Sequence, residues 1–220
     1  MKLGAAMLLL CALIAPARGA SASGQGSESG GGTPPAAAHP PPDPRLFSIL
    51  GVTMGRAGLD PVMAKLGEAT VVMRRDAPRS ICYVGSDQTF VVFEETTTGW
   101  GYTMYSMKTP PLDLLNANDC KPLFRLNAAT SNGVGLHVGQ PLGEVKEVLG
   151  PPHAAERQRS SWVYAAQESI APGSDPRLPP EATRVEVRTK ISIRFKHGGA
   201  TRIAVFAVES PVAPAGDAPR

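Results

Sequence analysis

The sequence predicts an α+β protein in which two similar units follow one another, each a short helix followed by a three-stranded antiparallel sheet. Three observations predict this class. Two apolar stripes with helical spacing, near residues 60 and 145, each end at a glycine. Segments rich in β-forming residues follow each stripe. A Pro/Gly-rich stretch precedes the first stripe, so the folded part is expected to begin near residue 46.

The first residues are typical of an export signal. Lys2 supplies a positive charge, residues 8–14 form an apolar run too short to span a bilayer, and Ala20-Ser21-Ala22 is a small-residue cleavage site. We therefore expect residues 1–22 to be a signal peptide and the mature protein to be periplasmic or secreted; the alternative is a buried N-terminal helix. Cys11 lies inside the apolar run and is expected to be removed with it.

The composition changes abruptly after the signal. Residues 23–45 are rich in Pro, Gly and Ser and contain no large apolar side chain, so burial cannot offset the entropy of ordering them. We expect a disordered linker, with a Pro-rich recognition ligand as the alternative. The first unit with its connecting segment is assigned to residues 46–133, the second unit to residues 134–210 and a flexible tail to residues 211–220.

The net charge of the chain is small. It is +3, and it falls to +1 when Lys2 and Arg18 leave with the signal, which is too little to indicate a nucleic-acid binder. Outside the first residues, no apolar stretch is long enough to predict a transmembrane span.

The first unit begins with a short amphipathic helix. Leu59, Val62, Met63 and Leu66 have the spacing of one helix face, and Gly67 follows them as a C-terminal stop. Strands are predicted at residues 81–84, 90–93 and 101–107, with a turn at 96–99. Residues 116–132 connect this unit to the next.

The second unit repeats the pattern. Its apolar stripe ends at Gly150 and consists of Leu142, Val145, Val148 and Leu149. Strands are predicted at residues 161–165, 185–195 and 202–208, with a Pro-rich insertion at 169–180. The strand at 185–195 alternates apolar and polar residues, the pattern of a strand with one face in water, and Gly198-Gly199 suits a tight hairpin after it.

Three short motifs carry a resemblance to a known family: GQPLGEV at 139–145, LGPP at 149–152 and WVY at 162–164. They resemble the SmpA/BamE family, whose module is a helix or helical hairpin followed by a three-stranded sheet. The tandem arrangement is similar to that of the β-lactamase inhibitor protein family, in which two such units form a concave sheet. The resemblance covers about residues 46–108 and 134–209 and implies a fold and, more weakly, a protein-binding or enzyme-inhibiting role.

Two cysteines remain once the signal is removed, Cys82 and Cys120. In an exported chain an isolated even pair predicts a disulfide, with two free buried thiols as the alternative. No Cys-x-x-Cys motif indicates a redox catalyst.

Motifs for catalysis, metals and cofactors are missing from the sequence. No histidine pair has metal-ligand spacing, and there is no nucleophile elbow, Walker loop or dinucleotide fingerprint. We therefore expect no metal, no cofactor and no enzymatic activity. Glu94-Glu95 is the only paired carboxylate and is interpreted as a solvated turn rather than as an acid–base pair. The arginines at 74, 75, 157 and 159 are interpreted as solvated loop charges, with an anionic partner as the alternative.

The aromatic residues indicate a candidate surface. Trp100, Tyr102 and Tyr105 lie on a predicted strand of the first unit, and Trp and Tyr are favoured anchors in interfaces. We predict that these three residues bind a partner, with packing between sheet and helix as the alternative. For Trp162 and Tyr164 in the second unit, packing is the expectation.

The sequence thus predicts an exported, non-enzymatic protein-binding or scaffold module. It would recognise another envelope or secreted protein through a sheet face or an exposed edge strand. The alternatives are an inhibitor of a secreted or periplasmic enzyme and, from a different class, a small-ligand carrier or an envelope hydrolase.

Overall fold

The computed structural model describes residues 43–73, 78–106, 119–175 and 178–212. The predicted signal peptide, nearly all of the predicted linker and tail, and the arginines at 74 and 75 lie outside the described residues.

The first part of the described chain contains a single turn of 3₁₀ helix, one α-helix and five strands. In order, these are the 3₁₀ helix Pro44–Phe47, β1 Ser48–Ile49, β2 Val52–Thr53, α1 Asp60–Leu66, β3 Arg79–Val84, β4 Thr89–Glu95 and β5 Gly99–Ser106. The second part contains one α-helix and five strands: β6 Lys121–Pro122, α2 Leu142–Leu149, β7 Ala154–Glu156, β8 Arg159–Ser169, β9 Arg184–Lys196 and β10 Gly199–Pro211.

The predicted α+β class with two separate helix-plus-three-strand units is wrong. The described residues are mostly strand, and eight strands form one continuous sheet in the order β6-β3-β4-β5-β10-β9-β8-β7. The sheet is mixed, because β6 runs parallel to β3 while the other pairs are antiparallel. A separate two-stranded sheet is formed by β1 and β2.

The central strand β5 explains why the sheet is continuous. Seven of its eight residues are buried, so both its faces and both its edges need neighbours. Its pairing with β4 covers one edge, and β10 covers the other from Arg202↔Tyr105 to Val208↔Gly99. Sequence alternation identifies the face of a strand but not its lateral neighbours, which is why this junction was not foreseen.

The main core lies on one side of the large sheet, here called the helix-side face. Val62 and Leu66 of α1 and Val145 of α2 join a single cluster with strand residues such as Phe93 and Trp162. The opposite side of the sheet is called the outer face below.

The two helices have seven and eight residues, and both stop at the predicted glycines. Each C-terminal glycine is also tied to the sheet by an aromatic side chain. Tyr83 Oη donates to the carbonyl of Gly67 at 2.7 Å, and Trp162 Nε1 donates to that of Gly150 at 3.1 Å. Burial, together with the charge of Glu68, raises the pKa of Tyr83 to about 12. Neither described helix is long enough or apolar enough to cross a bilayer.

The hairpin between β9 and β10 turns one residue earlier than predicted. His197 and Gly198 occupy the turn with φ values of 53° and 84°, and Lys196 pairs with Gly199. Left-handed backbone at both central positions is the geometry of a tight hairpin turn. The turn lets β9 and β10 pair along nearly their whole length, which aligns the outer-face side chains described next.

Candidate functional site

The three aromatic residues predicted to bind a partner are buried. The exposed fractions of Trp100, Tyr102 and Tyr105 are 8%, 1% and 1%. Tyr102 Oη donates to the carbonyl of Leu46 at 2.8 Å and is 3.0 Å from the donor Nδ2 of Asn132, and burial raises the pKa of Tyr102. These observations agree with the alternative that the aromatic side chains pack inside the fold. None of the three forms an exposed recognition surface in this structure.

Tyr105 lies on the outer face, where it belongs to a second and smaller core. Its ring stacks on Phe90 at a centroid distance of 5.3 Å, and Val92 packs with them. Burial raises the pKa of Tyr105 and the positive charge of Arg202 opposes this shift; the resulting pKa is about 12. We call this group, with Cys82 and Cys120, the second cluster.

The predicted disulfide is confirmed. Cys82 of β3 is bonded to Cys120, which lies just before β6. Both cysteines are buried among the apolar residues of the second cluster. The bond therefore fixes the segment before β6 over the outer face of β3, β4 and β5, and it indicates a non-cytoplasmic environment for the folded chain.

Glu94 and Glu95 do not act as a pair, and they are not a solvated turn. Adjacent residues of a strand point to opposite faces. Glu95 accepts from the backbone N–H of Leu59 at 2.9 Å and from Arg79 at 2.9 Å, which holds the start of α1 on the helix-side face. Glu94 is partly buried on the outer face, where burial raises its pKa, although Arg202 and a hydrogen bond with Thr103 lower it.

The outer face of β8, β9 and β10 is open to solvent and basic. On these strands every second residue is exposed or half-exposed, and the intervening residues face the main core. The charged side chains on the open side include one acidic residue, Glu186, which forms an ion pair with Arg188, and the further basic residues Arg159, Arg184, Lys190, Arg194 and Arg202. We call this surface the basic face.

Three of its arginines stand directly opposite one another. The register pairs Arg159 of β8 with Arg194 of β9, and Arg194 with Arg202 of β10. Like charges placed directly opposite across strands destabilise a sheet. Among the described residues, neither Arg159 nor Arg194 has an ion-pair partner, whereas Arg202 lies close enough to Glu94 to affect its pKa. The row therefore concentrates positive charge, and repulsion between its arginines lowers the stability of the fold.

A groove of about 770 Å³ lies on the same face, farther along β9 and β10 from the arginine row. Lys190 and the ion pair of Arg188 with Glu186 line it together with the apolar side chains Val163, Phe206 and Val208. Val163 and Val208 are 44% and 38% exposed. The groove therefore offers apolar contact area bordered by the cation Lys190 and by an ion pair.

Two glycines of β5 allow Phe206 to lie flat at the floor of this groove. Phe206 pairs with Gly101, and a Cβ added to Gly101 would come within 2.5 Å of the ring atom Cδ2. The same substitution at Gly99 would come within 3.1 Å of Cε1. A side chain at Gly101 would thus lift the ring away from the sheet.

Sequence reasoning missed this surface, although part of the signal was visible. The alternation of β9 indicated a polar outer face at Arg188, Lys190 and Arg194, but the strand register that aligns Arg159 and Arg202 with it could not be read from the sequence. Arg159, interpreted there as a loop charge, is the first residue of β8.

Metal-ligating groups do not come together among the described residues: no three His, Cys, Asp or Glu side chains are grouped there. No family model, no curated protein and no solved structure matches this chain. The resemblance to the SmpA/BamE family therefore stays a prediction.

Proposed function

We propose that this chain is a periplasmic or secreted, non-enzymatic module that binds an acidic surface of another envelope or secreted protein through the basic face. The observation that carries the proposal is the row formed by Arg159, Arg194 and Arg202. The disulfide between Cys82 and Cys120 supports the location, because such bonds persist outside the reducing cytoplasm.

The arginine row favours a binding role because its charges oppose one another in the free protein. A carboxylate-bearing partner would neutralise the row and relieve the repulsion. The repulsion that destabilises the free protein would therefore favour binding. Arginine also suits this task, since its planar guanidinium donates two parallel hydrogen bonds to a carboxylate.

The groove supplies the second component of an interface. Interfaces combine a desolvated apolar centre with a polar rim, and aromatic side chains are frequent anchors. Phe206 lines the groove, and Lys190 and the ion pair of Arg188 with Glu186 line it as well. This arrangement fits a protein partner better than a simple anion, which would need no apolar floor.

The test uses the full oxidised chain and fluorescein-labelled poly-glutamate as the probe. Arg194→Glu should weaken binding of poly-glutamate about tenfold, because it reverses a charge in the centre of the row. Lys146→Glu is the matched control, since Lys146 is exposed on α2 and makes the same change of charge away from the outer face. The wild-type affinity should fall as salt is added.

The apolar component is tested on a partner retrieved from the envelope fraction. Phe206→Ser should reduce its capture, and Phe124→Ser should not, because Phe124 is 92% exposed in the loop after β6, toward the other edge of the sheet.

Equal losses of poly-glutamate binding in Arg194→Glu and Lys146→Glu would mean that only net charge matters and would refute the basic face as the site.

A further inference from the structure

The outer edge of β8 is unpaired over most of its length. β8 pairs with β9 from Arg159 to Ser169, but it pairs with the edge strand β7 only from Arg159 to Ser161. Beyond that point no described strand covers the edge, and Val163, Ala165 and Gln167 are exposed.

Two hydrogen bonds show which backbone groups face this edge. His153, which directly precedes β7, donates its N–H to the carbonyl of Ser161 at 2.9 Å. The N–H of Val163 donates to Nδ1 of the same histidine at 2.8 Å. Because antiparallel strands alternate the direction of their backbone groups, the N–H and C=O of Ala165 and Gln167 face outward as well. These outward groups have no strand partner among the described residues.

The segment lacks the features that protect edge strands. Natural edges are blunted by lysine, proline, bulges or inward-pointing charges. Residues 163–169 contain no Lys, Arg or Pro, and their one charged residue, Glu168, is held by Arg56 at 2.8 Å. His153 accepts the hydrogen bond of the outward N–H of Val163. The outward N–H groups of Ala165 and Gln167 have no strand partner among the described residues.

The neighbouring side chains indicate the chemistry of a strand added at this edge. The register places Val163 beside Lys190 and Ala165 beside Arg188. Arg188 is held in an ion pair with Glu186, whereas Lys190 has no ion-pair partner among the described residues and is the cation available beside this edge. An added strand would therefore meet positive charge on its outer-face side and the partly buried Tyr164 and Ala166 on its other side.

We propose that the edge of β8 from Val163 to Ser169 accepts an extended partner segment, in which acidic and apolar residues alternate, as a ninth strand of the sheet. The inference rests on the proposed function, whose basic face it uses, and it names the kind of partner segment that would bind there. Backbone hydrogen bonds would supply affinity, and Lys190 would select acidic side chains.

The probe is a fluorescein-labelled peptide of alternating Glu and Val, titrated against the full oxidised chain by fluorescence anisotropy. Ala165→Pro removes an outward N–H and leaves the bonds of Tyr164 and Ala166 to β9, because proline is tolerated at an edge whose N–H faces solvent. Ala165→Thr is the matched control, since it keeps the N–H and suits a strand. We expect binding about tenfold weaker for Ala165→Pro and unchanged for Ala165→Thr. Unchanged melting temperatures would establish that both variants are folded.

Two altered peptides test the mode of binding. A peptide with N-methyl groups on alternate residues cannot pair with a strand and should not bind. A peptide with Lys in place of Glu should bind at least tenfold more weakly than the Glu/Val peptide.

The ninth strand would be overturned if the Glu/Val peptide did not bind the wild type or bound Ala165→Pro equally well. Equal binding of the N-methyl or Lys peptide to the wild type would also overturn it. A wild-type dimer that Ala165→Pro dissociates would instead make a second copy of the chain the occupant of the edge. The proposed function is judged separately, because poly-glutamate binding and its loss in Arg194→Glu do not depend on the edge.

Discussion

The two halves of the large sheet differ on the same face. On β3, β4 and β5 the outer face is covered: Phe90 and Tyr105 stack there, and the disulfide between Cys82 and Cys120 fixes a segment above them. On β8, β9 and β10 the same face carries the basic residues and is open. One half thus uses its second face for stability, and the other leaves it available for binding.

The two halves of the sheet share a core on one face and differ on the other. On the helix-side face both halves contribute to one main core, so folding does not distinguish them there. The difference arises on the outer face, where apolar residues and a covalent bond in one half correspond to aligned arginines in the other.

The largest expected effect tests the core that both halves share. Trp162→Ala should lower the free energy of unfolding by about 3–5 kcal/mol, because the side chain is fully buried and its N–H bonds to the carbonyl after α2. Trp100→Ala should cost less, since Trp100 is 8% exposed and lines a cavity of about 200 Å³. Chemical denaturation of both variants measures the difference; a larger loss for Trp100→Ala would contradict it.

The next effect removes the cover of the first half. The double variant Cys82→Ala/Cys120→Ala should lose about 4 kcal/mol, because the bond closes a loop with a sequence separation of 38 residues in the unfolded chain. Thermal melting measures the loss. Binding of poly-glutamate below the melting transition should remain, since the basic face lies on the other half. Two free thiols in the non-reduced, denatured wild type would contradict the bond itself.

A smaller effect, of the opposite sign, tests the second half. Arg194→Thr should leave stability unchanged or raise it by up to about 1 kcal/mol, because it removes the charge between Arg159 and Arg202. The gain should shrink as salt is added. Lys146→Thr is the control at an exposed site without aligned cations. A loss of stability well above 1 kcal/mol in Arg194→Thr would mean that the row is structural and would remove the contrast between the halves.

Local features of the fold could be predicted from the sequence. The apolar stripes before Gly67 and Gly150 gave the positions of both helices, and the alternation in β9 gave its buried face. The disulfide followed from the number of cysteines and from the predicted export signal. Each of these inferences depends on neighbours along the chain or on simple counting.

Long-range pairing could not be predicted in the same way. The alignment of Arg159 with Arg194 depends on register between strands, and the burial of Trp100 and Tyr102 depends on which segments cover β5. Trp and Tyr are suited to cores and to interfaces alike, so residue type alone did not distinguish the two. The aromatic residues chosen from the sequence are therefore buried, whereas Phe206, which lies opposite Gly101, went unnoticed.

The smallest effect concerns Glu94, at the boundary between the two halves. Burial raises its pKa more than Arg202 and the hydrogen bond with Thr103 lower it. Its carboxyl group therefore holds a proton more tightly in the folded chain than in the unfolded chain, where the pKa is about 4.3. Stability from this group is fully present below the unfolded pKa and is lost as the pH rises through the folded pKa. Glu94→Gln removes this titration, so the free energy of unfolding of the wild type relative to the variant should fall as the pH rises across that interval. Denaturation of both proteins over a pH series measures the difference. A wild-type advantage that grows with pH would instead mean that attraction to Arg202 outweighs burial, and that the arginine row is partly neutralised from within the chain.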